Sequence, residues 1–268
     1  LFFTDKGKVH HRKGYQIPEA GRTARGTAIV NVLPLDAGES VTAMVVTREF
    51  DENEYLMMVT RKGTIKRIPF IALATRRQTG IRAITLDEGD QLINVIRTNG
   101  DDNMILATAQ GMAICFNEND VRPMGRDAAG VRGISLAAGD CVIGAVKAEE
   151  GTTLLTVTEN GYGKRTELNE YLRTGPEGTK IPQSRGGKGL KNYNITEKTG
   201  NVAGCCLVSD TDDVMLIENG GVIIRVPAAG INVYKRDVQG VIIMRIEEGN
   251  KLVSVERVAA EPEEENQA

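Results

Sequence analysis

The 268-residue chain carries 33 Lys and Arg against 36 Asp and Glu, has no Trp, and holds only 4% aromatic residues. Its longest apolar runs, such as Met44-Val45-Val46 and Val241-Ile242-Ile243-Met244, are far too short to span a membrane, and the N-terminus does not read as a signal peptide. Four cysteines without CxxC spacing and two adjacent histidines argue against a structural metal and fit buried thiols in a reducing cytoplasm.

From the N-terminus onward a three-part unit returns five times. Its first part is a hairpin centred on a glycine, over residues 3–9, 59–67, 107–114, 157–165 and 216–225. The second is a short glycine strand, at 24–29, 78–84, 129–134, 183–189 and 238–243. The third is a glycine turn, at 35–39, 86–90, 136–140, 196–200 and 246–250. Short β-branched runs such as Tyr55 to Thr60 and Thr153 to Thr158 are strand signals. One helical turn, from Glu167 to Leu172, is expected and no more. A sheet that recurs at this period cannot bury its own apolar face, so the expected fold is all-β, with one sheet per repeat packed radially. With so few aromatics the sheet cores are expected to be Val, Ile, Leu and Met. No Pro/Gly/Ser-rich linker interrupts the array, which makes residues 1–257 one expected domain, followed by an acidic tail of disordered composition at 258–268. Because the chain opens on Leu1 in mid-strand, it is expected to be a fragment.

Charge is sorted by position within the repeat. The tail holds Glu261, Glu263, Glu264 and Glu265; without them 32 acids face 33 bases, a net of +1. Acids gather in the turns between repeats, including Asp51, Glu52, Asp101, Asp102, Glu149 and Glu150. Bases gather beside the hairpins (Lys6, Lys8, Arg12, Lys66, Arg67, Lys164, Arg165, Arg225). A second set lies on the linking segment: Arg22, Arg25, Arg76, Arg77, Arg82, Arg122, Arg126, Arg132, Lys191, Lys235, Arg236 and Arg245. Cations recurring at fixed repeat positions predict a positive rim, the electrostatic footprint of a phosphate track.

The fourth repeat carries Gln183-Ser184-Arg185-Gly186-Gly187-Lys188-Gly189. Its glycines let main-chain N–H groups approach anionic oxygens, Arg185 can grip a phosphate bidentately, and Lys188 adds a point charge. Together with Gly14 to Thr27 and Asn160 to Thr166, this box resembles the C-terminal DNA-wrapping domain of the A subunit of bacterial DNA gyrase, over Leu1 to about Val258. The resemblance implies a β-pinwheel, a propeller-like ring of four-stranded blades with exchanged strands, five visible here where the family normally has six. It implies that the box, Gln183 to Gly189, and the rim bases bind duplex DNA, so that the parent type II topoisomerase introduces negative supercoils. The implied partners are the rest of the gyrase A subunit together with the gyrase B subunit, in an A2B2 assembly in the bacterial cytoplasm, near the nucleoid and away from any membrane. No catalytic residue, metal or cofactor is expected in this stretch, since ATP and Mg belong to other parts of the holoenzyme. Three departures from the family stand out. The family usually places its box in the first blade but no box lies before Leu1, so that blade is expected to be missing; Ser184 replaces a common base; and an extra loop occupies 174–180.

Three alternatives stand beside this reading. The paralogous domain of topoisomerase IV has a similar ring without an intact box. A protein-binding propeller predicts bases scattered without regard to repeat position and a large apolar patch, whereas the charge here is ordered. A propeller enzyme requires converging carboxylates or His, for which two neighbouring histidines are a poor basis.

Overall fold

The structure, a computed structural model, describes residues 1–258 apart from Arg22, Arg76 and Gln78. The acidic tail beyond Val258 and the two arginines therefore lie outside the described residues. The described chain forms two compact units, residues 1–102 with 118–133, and residues 103–117 with those from 134 on.

The first unit contains two four-stranded antiparallel sheets. One runs Val41–Met44, Phe2–Thr4, Lys8–His10, Ile81–Arg82; the other runs Leu92–Thr98, Tyr55–Thr60, Thr64–Pro69, Val131–Arg132. Phe3, Leu56, Met58, Ile68, Phe70 and Leu73 pack between them in one apolar cluster. The second unit repeats the arrangement. Its sheets run Val142–Lys147, Asn103–Thr108, Met112–Asn117, Leu190–Lys191 and Val202–Val208, Thr153–Thr158, Tyr162–Glu167, Val241–Ile242. A three-stranded sheet, Leu252–Val258, Asp213–Glu218, Ile223–Pro227, and a small hairpin, Arg173–Thr174 with Lys180–Ile181, complete it. No α-helix occurs among the described residues. In every four-stranded sheet the outermost strand, two residues long, comes from the following repeat. The all-β, repeated sheets are what the repeat predicts, and the exchanged strand is what the family resemblance implies.

The recurring sequence signals have local causes. A threonine at the hairpin entry accepts the N–H four residues ahead: Lys8 onto Thr4 Oγ1, Thr64 onto Thr60 Oγ1 and Met112 onto Thr108 Oγ1. The acid closing the third motif caps the same turn, with Asp90 Oδ1 accepting from Lys62 N and Asp140 Oδ1 from Gln110 N, each at 2.9 Å. Glycine is demanded where the exchanged strand crosses its host. A Cβ on Gly161 would stand 2.0 Å from Met244 O, and one on Gly189 2.3 Å from Ala113 O, both at positive φ.

Three expectations are corrected. The helical turn near 167–172 is a 3₁₀ turn, Leu168–Tyr171, and it is one of a repeated set with Phe70–Leu73, Glu118–Asp120 and Ala228–Gly230. Elements of three or four residues are too short to show a helical period. The cores are not purely aliphatic, because Phe3, Phe70, Phe116 and Tyr171 are fully buried. Two of them, Phe70 and Tyr171, belong to the 3₁₀ turns, and Phe3 and Phe116 to strands. The fifth blade has three strands among the described residues, and its outer strand 223–227 is accordingly open, with Ile223 56% exposed.

Candidate nucleic-acid interface

The exchanged strands end on Arg82, Arg132, Lys191 and Ile242, opposite Lys8, Thr64, Met112 and Tyr162 of their host hairpins. Three of these four equivalent positions are thus basic, and all three side chains are exposed. Strand pairing fixes their placement, so the recurrence seen in sequence is a recurrence in register. The linking segments leading into these strands present exposed Arg77, Arg122, Arg126 and Lys235, with Arg25 exposed in the first repeat. In the second unit, Arg236 Nη1 donates to Lys191 O at 2.9 Å, which gathers Lys191, Lys235 and Arg236 around one crossing.

Four expected rim bases are elsewhere. Lys66, Arg67, Lys164 and Arg165 are buried, with exposures of 0%, 4%, 0% and 5%. Alternation would turn one of each pair outward on a one-sided strand, but these strands are covered on both faces. The linking segment crosses one face. There Lys66 Nζ donates to Ala83 O, Arg126 O and Ala128 O, and Lys164 Nζ to Lys235 O and Arg236 O. The 3₁₀ turn covers the other face, where Arg67 meets Glu118 at 3.0 Å and Arg165 Nη1 donates to Ala228 O at 2.8 Å. The two lysines hold the linking segments in place, the two arginines hold the 3₁₀ turns, and all four are closed to phosphate.

The box occupies the same kind of crossing with different chemistry. Gln183 is spent on anchoring: its N–H donates to Cys115 O at 2.7 Å and its amide nitrogen to Tyr171 O at 3.1 Å. Gly187 O accepts from Ser135 N at 2.8 Å, and Gly189 sits at the strand crossing. Between these anchors Ser184, Gly187 and Lys188 are exposed and Arg185 is half-buried. Counting back four residues from the crossing glycine aligns Arg185-Gly186 with Arg126-Asp127 and Arg236-Asp237. Register likewise aligns Ile114 beneath the box with Lys66 and Lys164 beneath the other two crossings. Burial lowers Lys66 to about 8 and Lys164 to about 7, while Asp127 and Asp237 pull each back up. At the box both positions differ: the acid is a glycine at φ 82° and the buried lysine is an isoleucine. From Pro182 to Thr196 the chain carries Arg185, Lys188 and Lys191 and no acid.

The extra loop expected at 174–180 is the exposed hairpin that leads into the box, and it adds Arg173 and Lys180 to the local bases. The length of the insertion was its only sequence signal. Among the described residues no three His, Cys, Asp or Glu side chains gather as a metal site. Burial also pushes the Cys115 and Cys205 thiols up to about 12.

Comparison with known proteins matches five segments of the chain, 1–48, 54–99, 102–149, 152–205 and 212–259, to the family described as DNA gyrase C-terminal domain, beta-propeller. The chain is 41% identical over 265 residues to the DNA gyrase A subunit of Klebsiella oxytoca, covering 99% of this chain and 29% of that protein. It is 42% identical over 265 residues to the DNA gyrase A subunit of Clostridium acetobutylicum, covering 99% and 31%. It therefore spans less than a third of the length of these relatives. Among solved structures, a C-terminal domain of DNA topoisomerase IV superposes with a TM-score of 0.86 at 25% identity, covering 97% of this chain and 79% of that one. A DNA gyrase A C-terminal domain superposes at 0.80 and 25% identity, covering 96% and 80%.

Proposed function

Because the chain belongs to the DNA gyrase C-terminal domain family, we propose that it binds and wraps duplex DNA along its basic linking segments. Binding does not read sequence, and it lets the parent gyrase introduce negative supercoils. The observation that carries this reading is the box: two bases between firm anchors, in a segment without an acid, where the equivalent crossings hold an aspartate and a buried lysine. Phosphate can meet the positive charge that this segment concentrates. Lys191 adds an exposed base beside the box, and Arg82 and Arg132 hold the equivalent register positions within the first unit. The intact box favours gyrase over topoisomerase IV, whose domain shares the fold. On this reading strand cleavage, ATP hydrolysis and Mg binding reside in the rest of the gyrase A subunit or in the gyrase B subunit, within an A2B2 assembly in the cytoplasm.

The test is supercoiling by the reassembled enzyme. Replacing Arg185 and Lys188 together with Ala is expected to abolish negative supercoiling while ATP-independent relaxation persists. Supercoiling at the wild-type rate in that variant refutes the role given to the box.

A further inference from the structure

The hairpin Arg173–Ile181 distinguishes the box crossing from its equivalents. In two other repeats the 3₁₀ turn lies within a few residues of the crossing: Asp120 precedes Pro123, and Gly230 precedes Val233. Here the turn ends at Tyr171 and the equivalent bridge residue is Gln183, so the hairpin is inserted directly ahead of the box.

We propose that this hairpin is a second contact to duplex DNA, a ribbon that enters a groove beside the box and fixes where the box grips. The proposal rests on the DNA-binding reading above. Three observations carry it. The first is rigidity at an exposed tip. Gly175 N donates to Thr179 O at 2.7 Å, and Thr179 Oγ1 donates to Pro176 O at 2.8 Å. Ile181 closes over Gly175, where a Cβ would stand 2.8 Å from its Cδ1. Glu177 at the tip holds φ 55°, the one positive-φ residue other than glycine among the described residues. Such strain persists only where the surroundings over-determine it.

The second observation is coupling to the box. Arg173 Nε donates to Pro182 O at 3.2 Å, and the next residue, Gln183, reaches back to Tyr171 O. The base of the ribbon and the start of the box are thereby tied to the same backbone. The third is chemistry and shape. Arg173 and Lys180 are exposed on the two strands, Glu177 leaves the hairpin at net +1, and the tip between them carries only Gly, Pro, Glu and Thr. A two-stranded β-ribbon is one of the elements that the major groove of B-DNA admits, with cations at its flanks reaching phosphate. Ordering cost is low because the ribbon is already formed.

The experiment uses this chain and a linear duplex longer than the footprint, with affinity measured across a salt series and backbone protection mapped by hydroxyl radicals. Lys180→Ala, whose ammonium takes no part in the hairpin's own hydrogen bonds, is expected to flatten the log–log salt slope by about 0.9, and Arg173→Ala/Lys180→Ala by about 1.8. Deleting 174–180 is expected to remove one patch of protection at one edge of the box footprint. Wild-type slope and footprint in all three variants overturn the proposal. Arg185→Ala/Lys188→Ala is measured in parallel: if it too binds as wild type, the box reading fails, and if it alone weakens binding, only the hairpin proposal falls. Should the deletion not fold by circular dichroism, the two exposed-residue variants decide.

Discussion

Lys164 shows how one residue type can mean two things. In sequence it is a base beside a hairpin glycine, indistinguishable from a rim cation. In the fold its ammonium points under the linking segment and donates to Lys235 O at 2.7 Å, while burial lowers its pKa to about 7. A base held below its unfolded value of 10.5 makes the folded chain gain stability as pH rises from about 7 toward 10.5, because the unfolded chain still binds the proton in that window. Comparing wild type with Lys164→Met isolates the effect. The stability gap should move in favour of wild type by about 1 kcal/mol per pH unit above neutrality, read from urea midpoints at pH 7 and pH 9. A gap that stays constant over that range means the ammonium is not depressed.

At the level of elements, the crossing of an exchanged strand over its host hairpin is the recurring joint. Two backbones meet there too closely for a side chain, and glycine supplies both the space and the positive φ. Gly189→Ala is expected to cost more than the ~1–3 kcal/mol of backbone strain, since its Cβ would also collide with Ala113 O at 2.3 Å. Gly26 holds a similar φ of 71° with nothing within 4 Å, so Gly26→Ala should cost only the strain. Thermal unfolding of the two variants checks the difference; equal shifts in Tm would mean that close approach contributes nothing. The hairpins were legible in sequence because Gly7, Gly63, Gly111 and Gly161 recur with strand-like runs on either side, whereas the crossings of exchanged strands were expected only from the family resemblance. Of the 3₁₀ turns only the one at Leu168–Tyr171 was legible, because three or four residues carry no period. The burial of Lys66 and Arg67 was not legible either, because alternation describes a strand covered on one face.

For the whole molecule, net charge misleads. The sequence totals −3, yet its acids are concentrated in turns and in the tail that begins after Val258. Phosphate binding depends on the local arrangement of bases, and it weakens with salt as counterions are released. If the tail competes with DNA for the same bases, deleting residues 259–268 should tighten binding to a duplex at low salt and matter less as ionic strength rises. Unchanged affinity of the deletion at low ionic strength, measured by fluorescence anisotropy, would dismiss that competition.

What the sequence determined by itself was the repeat: period, turn glycines and β-branched runs are local facts, and copies of one unit can only become copies of one sheet. It also marked the box, since a run of glycines and bases without acids is visible in the letters. Tertiary structure alone decided which cations remain exposed, because burial depends on what crosses a strand from the next repeat, tens of residues away. Lys66 and Lys164 were drawn inward by backbone carbonyls from those distant segments, while Lys188 stayed at the surface of a crossing whose buried position is filled by Ile114.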